Sequence, residues 1–195
     1  LLLTFYKINY RLAKIVVFNN YTKLKLKNIG CDIDKIELVA PGAKSISYQE
    51  NIFNKLANSG RINFHRKYFT IGAITALNQK QKIETLFQAT KISLPVIPNI
   101  QLIIVGEGEE RKNLTWLAKK MEIDNLIWLV GEQEQVKKWL DSFDLFIAVG
   151  ENLTLDDYSN VLEAMATGLP VLGQRNIGLE DFIIENNNGS LIEGD

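Results

Sequence analysis

Several residue types that mark whole classes of protein are scarce in this chain of 195 residues. Its single cysteine, Cys31, cannot form an intramolecular disulfide, and its single histidine, His65, has no histidine or cysteine cluster around it to bind a metal. The 22 basic and 23 acidic residues leave a net charge of −1, which argues against a nucleic-acid partner. No apolar run approaches the ~20 residues that cross a bilayer. These absences predict a protein without a metal, in a reducing compartment such as the cytoplasm.

What the chain does contain is an ordinary globular composition, with 46% hydrophobic and 23% charged residues. That balance supports a packed core and argues against intrinsic disorder. The sequence starts on an apolar run, residues 1–6, and has no initiator methionine. We interpret it as part of a longer protein.

Short apolar runs alternate along the chain with segments of helical periodicity. The runs Leu102–Val105 and Leu145–Val149 are not interrupted by polar residues, which is typical of strands buried on both faces of a parallel sheet. Between them, apolar residues recur at the i, i+3, i+4, i+7 spacing of an amphipathic helix. This repetition predicts an α/β fold with a doubly wound, Rossmann-like parallel sheet. The sets with helical spacing are Leu114, Leu117, Ala118 and Met121, and Val136, Trp139, Leu140 and Phe143.

The same pattern divides the chain into two parts. Residues 1–45 hold two short predicted strands and one helix, and they run into the polar stretch 43–50, which is typical of a linker. The regular series of strands and helices starts near Tyr68 and continues to the end of the chain. We therefore predict a boundary after residue 45, with 46–195 as the main domain.

The most informative segment begins at Asp156 and ends in a Gly-Leu-Pro-Val run. Ser159 or Asn160 can cap the start of a short helix there. A helix that starts at the carboxyl end of a parallel strand offers free N–H groups to a phosphate. Asp156 and Glu163 would flank that helix start, and carboxylates accept the paired hydroxyl hydrogen bonds of sugars. The alternative is a structural capping box between Asn160 and Glu163, beside a solvated acidic loop.

This segment resembles the signature of the family 4 retaining glycosyltransferases, which have the GT-B fold. In that family an acidic residue and a short loop precede the run Asn-Val-x-Leu-Glu-Ala-Met-Ala-x-Gly-x-Pro-Val. Further motifs of the family follow one another along the chain in the family's order. They are the "KIxVxPxG" run (Lys35 to Gly42), the first strand and helix of the C-terminal domain (Phe69 to Leu86), the "IVGxGxE" turn (Leu102 to Glu110), the "FLG" strand end (Leu129 to Gly131) and the "NGxLV" strand (Asn188 to Ile192).

The resemblance implies a hexosyl-type glycosyltransferase that uses a nucleotide-diphosphate sugar as donor and retains its anomeric configuration. It implies no cofactor and no metal, and an acceptor, a saccharide or a lipid-linked molecule, that the sequence does not identify. Residues 46–195 would be the C-terminal, nucleotide-sugar-binding domain, truncated at its end. Residues 1–45 would be the tail of the N-terminal acceptor domain with the interdomain linker. The rest of that N-terminal domain would be a missing partner, so we expect this chain alone to be inactive.

The resemblance also implies roles for single residues. Glu163 would hold the ribose hydroxyls and Asp156 those of the sugar, so these two acids are the expected catalytic residues. Three further residues would supply backbone amides for the pyrophosphate: Ser159, Asn160 and Val161. Gly72 and the cation Lys82 are also expected to bind the donor.

Three departures from the family pattern leave a second hypothesis open. The two acids are seven residues apart, where the family has eight, so Asp156 aligns only after a one-residue deletion, and Asp157 could also serve as the first acid. Ala76 stands where the family has a phosphate-binding arginine, and the family's nearby lysine falls on Gln81 or, after a shift of one residue, on Lys82. Because fewer cations weaken the binding of a diphosphate, the alternative is a degenerate, non-catalytic domain that binds a nucleotide sugar or a protein.

One basic stretch bears on a membrane. Arg61, Arg66 and Lys67 surround His65, and such a cluster could approach anionic lipid. We therefore expect a cytoplasmic protein with peripheral contact at the inner face of the membrane.

Overall fold

The computed structural model describes residues 13–43, 68–78, 82–150, 153–175 and 178–193. In the first of these segments, which we call the α1 unit, two strands flank a helix and pair as a parallel two-stranded sheet. Its small core of Val17, Cys31 and Ile36 forms a cluster of its own among the described residues. The elements are β1 (Ile15–Val17), α1 (Asn20–Asn28) and β2 (Ile36–Leu38).

The other described strands form one parallel sheet in the order β5-β4-β3-β6-β7-β8. Helices connect most of these strands, as the alternation of the sequence predicts. The strands are β3 (Phe69–Ile74), β4 (Ile100–Val105), β5 (Ile127–Gly131), β6 (Leu145–Ile147), β7 (Val171–Gln174) and β8 (Gly189–Ile192). The helices are α2 (Ile83–Ser93), α3 (Arg111–Lys120), α4 (Val136–Leu140) and α5 (Leu155–Ala166).

Both faces of this sheet are covered, which explains its uninterrupted apolar strands. In β4, Leu102 and Ile104 belong to the core that includes α2 and α3. Ile103 and Val105 belong to the opposite core, which includes α4 and α5. All four side chains are buried. The prediction of an α/β fold with a doubly wound parallel sheet is confirmed.

The strand order creates one point where the direction of winding changes. From β3 the chain builds outward through β4 to the edge strand β5, and then returns to place β6 on the other side of β3. It continues outward from there through β7 to β8. In open α/β sheets, ligands bind outside the carboxyl ends of the strands at such a switch point. The crevice between the ends of β3 and β6 is therefore the expected ligand site.

Within the described residues, every helix is too short or too polar to span a bilayer. The basic residues 61–67, on which the predicted membrane contact depends, lie outside the described part of the chain.

Candidate functional site

The loop after β3 lies at the switch point, and it packs closely on the loop after β4. A Cβ atom on Gly106 would lie 2.0 Å from the carbonyl oxygen of Thr75, and one on Gly108 would lie 2.2 Å from that of Leu77. The backbone N–H of Leu77 also donates to the carbonyl of Glu107 at 2.9 Å. The two glycines of the Gly-Glu-Gly turn are therefore required by backbone packing. Ala76 lies exposed in the loop after β3.

Helix α5 follows β6 on the other side of the switch point and begins five residues earlier than a Ser159 cap would allow. Thr154 is its N-cap, and Asp157 completes a capping box with it. The Thr154 N–H donates to Asp157 Oδ2 at 2.8 Å, and the Asp157 N–H donates to Thr154 Oγ1 at 3.3 Å. The prediction of a cap at Ser159 or Asn160 is wrong, and so is the alternative box between Asn160 and Glu163. The Thr-x-x-Asp spacing in the sequence was the signal for the true start.

This earlier start changes what the backbone of the segment can bind. Only the first turn of a helix leaves its N–H groups without intrahelical partners. Ser159, Asn160 and Val161 lie beyond that first turn, so their N–H groups donate to carbonyls within α5. The Val161 side chain is 1% exposed and belongs to the core. The prediction that these three amides form an anion-binding loop is therefore wrong.

The same change gathers the predicted polar side chains on one face of α5. Asp156, Ser159, Asn160 and Glu163 now follow the i, i+3, i+4, i+7 spacing, so they form one stripe along the helix. We call these four residues the polar stripe. Asp156 is exposed and the other three are half-buried. The two acids are separated by about 10 Å along the helix axis, at 1.5 Å of rise per residue.

Glu163 is the half-buried acid of the polar stripe. Its side chain makes no hydrogen bond or ion pair with any residue in the described ranges. Asp157, by contrast, is buried, and its carboxylate is occupied by Thr154 in the capping box. Of the neighbouring acids of α5, Asp156 and Glu163 are therefore the ones whose carboxylates remain available to a ligand.

Gly72 has a packing role. It lies inside β3, and a Cβ atom there would come within 2.0 Å of the Phe143 ring. This contact explains the glycine without any ligand. Lys82 is exposed at the N-cap of α2 with a left-handed backbone, φ 48°. Gln81 lies outside the described residues.

A cleft of about 610 Å³ opens at the carboxyl end of β5, and the sequence-based predictions missed it. Its volume is in the range of small-molecule sites. Its lining mixes carboxylates, carboxamides, a hydroxyl, a cation and an indole, which together suit hydrogen bonding and stacking with a polar ring. The polar run 132–135 directly after β5 was the available signal. The lining residues are Glu132, Gln133, Glu134, Gln135, Lys138, Trp139 and Ser142.

An ion pair lies beside this cleft at the ends of β4 and β5. Arg111 Nη1 contacts Glu107 Oε1 at 2.5 Å, and Arg111 Nη2 donates to the carbonyl of Leu129 at 2.7 Å. A Cβ atom on Gly131 would lie 2.9 Å from that Glu107 oxygen, and Gly131 has φ +80°. The loop after β4 is thereby tied to the last residue of β5.

Among the described residues, two titratable groups have shifted pKa values. Burial raises the pKa of Tyr158, in the first turns of α5, to about 12. Hydrogen bonds from Ser190 and from the Leu191 N–H lower the pKa of Glu185. In the part of the chain that the structure describes, no group of three or more metal-ligating side chains is present.

The family assignment agrees with this geometry. The sequence profile of the glycosyl transferases group 1 family matches residues 54–195. The chain belongs to this family. Among curated members, the amylovoran biosynthesis glycosyltransferase AmsK of Erwinia amylovora is 25% identical over 178 residues, which cover 88% of this chain and 42% of AmsK.

Solved glycosyltransferase structures share the fold. A mutant of S. aureus TarM, solved with fondaparinux, α-GlcNAc-glycerol and UDP, superposes with a TM-score of 0.75 at 18% identity, covering 95% of this chain and 34% of TarM. Anabaena HepE, solved with UDP-glucose, gives 0.73 at 18% identity, covering 93% of this chain and 50% of HepE. The fold is that of the GT-B glycosyltransferases, and the chain spans half or less of the length of these relatives.

Proposed function

We propose that this chain is the donor-binding part of a retaining glycosyltransferase of family 4. It would bind a nucleotide-diphosphate sugar whose hexosyl group passes to a saccharide or lipid-linked acceptor. Membership of the group 1 family supports sugar transfer. The observation that carries the proposal is the polar stripe on α5, the helix that follows the switch-point strand β6.

The polar stripe has the chemistry of a sugar-binding surface. Each carboxylate can accept two hydroxyl hydrogen bonds, and Ser159 and Asn160 can both donate and accept. In this proposal Asp156, at the first turn of α5, holds the hydroxyls of the transferred sugar, and Glu163 holds those of the ribose. The seven-residue spacing, which departs from the family pattern, supports the pairing because two helical turns keep both acids on one face.

The cleft after β5 would take the nucleotide base, with Trp139 as its aromatic wall. The ends of β5 and β6 are three strand spacings apart, which is about 14 Å. A donor with a base at one end and a sugar at the other could lie across the ends of β4 and β3 between them. TarM and HepE were solved with UDP or UDP-glucose, which supports UDP as the first nucleotide to test.

The diphosphate would meet Lys82 at the start of α2, because Ala76 supplies no charge in the loop after β3. No metal or cofactor is invoked. The donor phosphate itself would help to deprotonate the acceptor on the face from which it departs, so that configuration is retained.

The domain assignment belongs to the same proposal. Residues 1–45 would be the tail of the acceptor domain with the linker, and 46–195 the donor domain. The separate small core of the α1 unit supports this division. We propose that the complete protein works in the cytoplasm at the inner face of the membrane, and that this chain alone binds donor without turnover.

Isothermal titration of the chain with UDP tests the proposal. The Glu163→Gln variant keeps the side-chain volume and removes the charge, so it should bind UDP about 1.5–3 kcal/mol more weakly, roughly 10- to 150-fold. Asp124→Asn, an exposed acid in the turn before β5, is the matched control and should bind as the native chain does. Equal affinity of Glu163→Gln and native chain would remove the role of Glu163, and no binding of UDP by the native chain would contradict the donor site.

A non-catalytic domain remains the second candidate, and Ala76 is the observation that favours it. The transferase hypothesis and the non-catalytic hypothesis make different predictions for the complete protein, because only the first predicts turnover of the donor. Restoring arginine with Ala76→Arg should raise turnover if the site is catalytic, and should change only UDP affinity if it is not.

A further inference from the structure

A compact polar contact joins the α1 unit to the main sheet. On one side are Asn19 and Asn20 at the start of α1, and on the other are Tyr158, Gly178 and Asp181. We call these five residues the α1 contact. The hydrogen bonds between Asn20 and Asp181 link positions 161 residues apart in the sequence.

Asp181 uses both carboxylate oxygens on Asn20. Its Oδ2 accepts the backbone N–H at 2.5 Å, and its Oδ1 accepts the side-chain Nδ2 at 2.9 Å. Because Asn20 is the first residue of α1, the carboxylate lies at the positive end of that helix. Asp181 thus caps a helix that belongs to the other sheet.

Asn19 forms the buried half of the α1 contact and is 1% exposed. Its Oδ1 accepts the Thr22 N–H at 2.7 Å, which caps α1 and orients the amide group. Its Nδ2 faces the Tyr158 hydroxyl, whose pKa the Asn19 side chain lowers against the larger effect of burial. Its burial places the Asn19 side chain inside the junction between the two surfaces.

Gly178 shows how closely the two surfaces approach. It has φ +86°, and a Cβ atom there would lie 2.6 Å from the Tyr158 hydroxyl oxygen and 2.8 Å from Asn19 Nδ2. The Tyr158 ring in turn packs on Phe182, with 5.8 Å between ring centroids. The hydroxyl of Tyr158 is therefore held between the main sheet and the α1 unit.

The contact reaches the polar stripe through α5. Tyr158 and Ser159 are neighbours on this helix, but Tyr158 is buried on the face opposite to the stripe. The small core of the α1 unit does not merge with either main core among the described residues. Polar contacts, rather than a shared apolar core, thus relate the α1 unit to the helix of the candidate site.

We propose that Tyr158 and Asp181 are positioning residues that hold the α1 unit in one orientation against α5. This inference rests on the proposed function, because the α1 unit would be the acceptor-side part that must face the donor on the polar stripe. Neither residue needs to touch the donor. Their effect is on the geometry between the two parts.

Distances between spin labels test the orientation without any ligand. In a Cys31→Ala background, labels at Lys27→Cys on α1 and at Asn125→Cys before β5 occupy exposed positions on the two parts. The native contact should give one narrow distance distribution by double electron–electron resonance. Tyr158→Phe, Asp181→Ala and their combination should broaden it or add a second distance, and Asp181→Asn, which keeps one acceptor oxygen, should have a smaller effect. The control Asp124→Asn should leave the distribution unchanged.

Unchanged distance distributions in Tyr158→Phe, in Asp181→Ala and in the double variant would overturn the proposal. Circular dichroism identifies any variant that loses the main sheet. If one does, the comparison uses Tyr158→Phe and Asp181→Asn, which change the side chains least. In the complete protein, the contact variants should lower kcat about tenfold or more and leave the KM for donor within twofold. If the contact variants broaden the distance distribution but the native chain does not bind UDP, the role of the α1 contact is supported and the proposed function is wrong.

Discussion

A substitution at Gly72 distinguishes a packing role of this glycine from a donor-binding role, because its neighbour, the Phe143 ring, is buried. A methyl group there would lie 2.0, 2.1 and 2.3 Å from three carbons of the Phe143 ring, and Phe143 is itself 2% exposed. Overfilling a packed core typically costs 1–3 kcal/mol. Since the ring is enclosed on all sides, we expect Gly72→Ala to lower the free energy of unfolding by about 3 kcal/mol.

Urea denaturation measures this loss. With an m-value of about 1–3 kcal/mol per molar urea, the midpoint should fall by roughly 1 M or more. Gly42→Ala is the control, because a Cβ there meets nothing within 4 Å, and its free energy of unfolding should stay within about 0.5 kcal/mol of the native value. Combining Gly72→Ala with Phe143→Leu, which makes space, should cost less than the sum of the two single changes.

The refuting result is a Gly72→Ala variant with an unchanged urea midpoint. If that variant also lost UDP binding, Gly72 would belong to the donor site and the packing account would be wrong. If instead the midpoint fell as expected and the folded variant, without urea, kept its UDP affinity within about threefold, the glycine would be a core residue alone.

Two further predictions concern α5. Because the folded-state pKa of Tyr158 is about 12, against 10.0 unperturbed, its contribution to stability is complete below pH 10 and is lost as pH rises to 12. The native chain should lose about 2–3 kcal/mol of its free energy of unfolding between pH 10 and 12, and Tyr158→Phe should not show this loss. If the free energy of unfolding fell equally steeply with pH in both proteins, the role given to Tyr158 would be wrong. Thr154→Ala should cost about 1 kcal/mol of stability in a thermal melt through the lost cap, whereas Thr154→Ser should be near neutral, and equal melts for all three proteins would argue against the capping box.

The glycosyltransferase family and the helix that carries the polar stripe were accessible from the sequence because their signals are local. The Asn-Val-Leu-Glu-Ala-Met-Ala run and its neighbours pointed to a glycosyltransferase, and the match over 54–195 confirms the group 1 family. The assignment to the retaining family 4 stays a prediction. The choice of Asp156 and Glu163 stays a prediction. The start of α5 was also a local signal, in Thr154 and Asp157, but Ser159 and Asn160 are favourable N-cap residues too, and the prediction fell on them.

The uninterrupted apolar runs such as Leu102–Val105 determined a parallel sheet by themselves, because a strand without a polar face must be covered on both sides. Strand order and the contact of Gly72 with Phe143 had no such local cause. They join residues far apart in the chain, and only the packing of complete helices and strands brings those residues together. The α1 contact is the extreme case, since Asp181 caps a helix that starts 161 residues before it. Sequence determined which surfaces had to be buried, and the tertiary structure decided which of them meet.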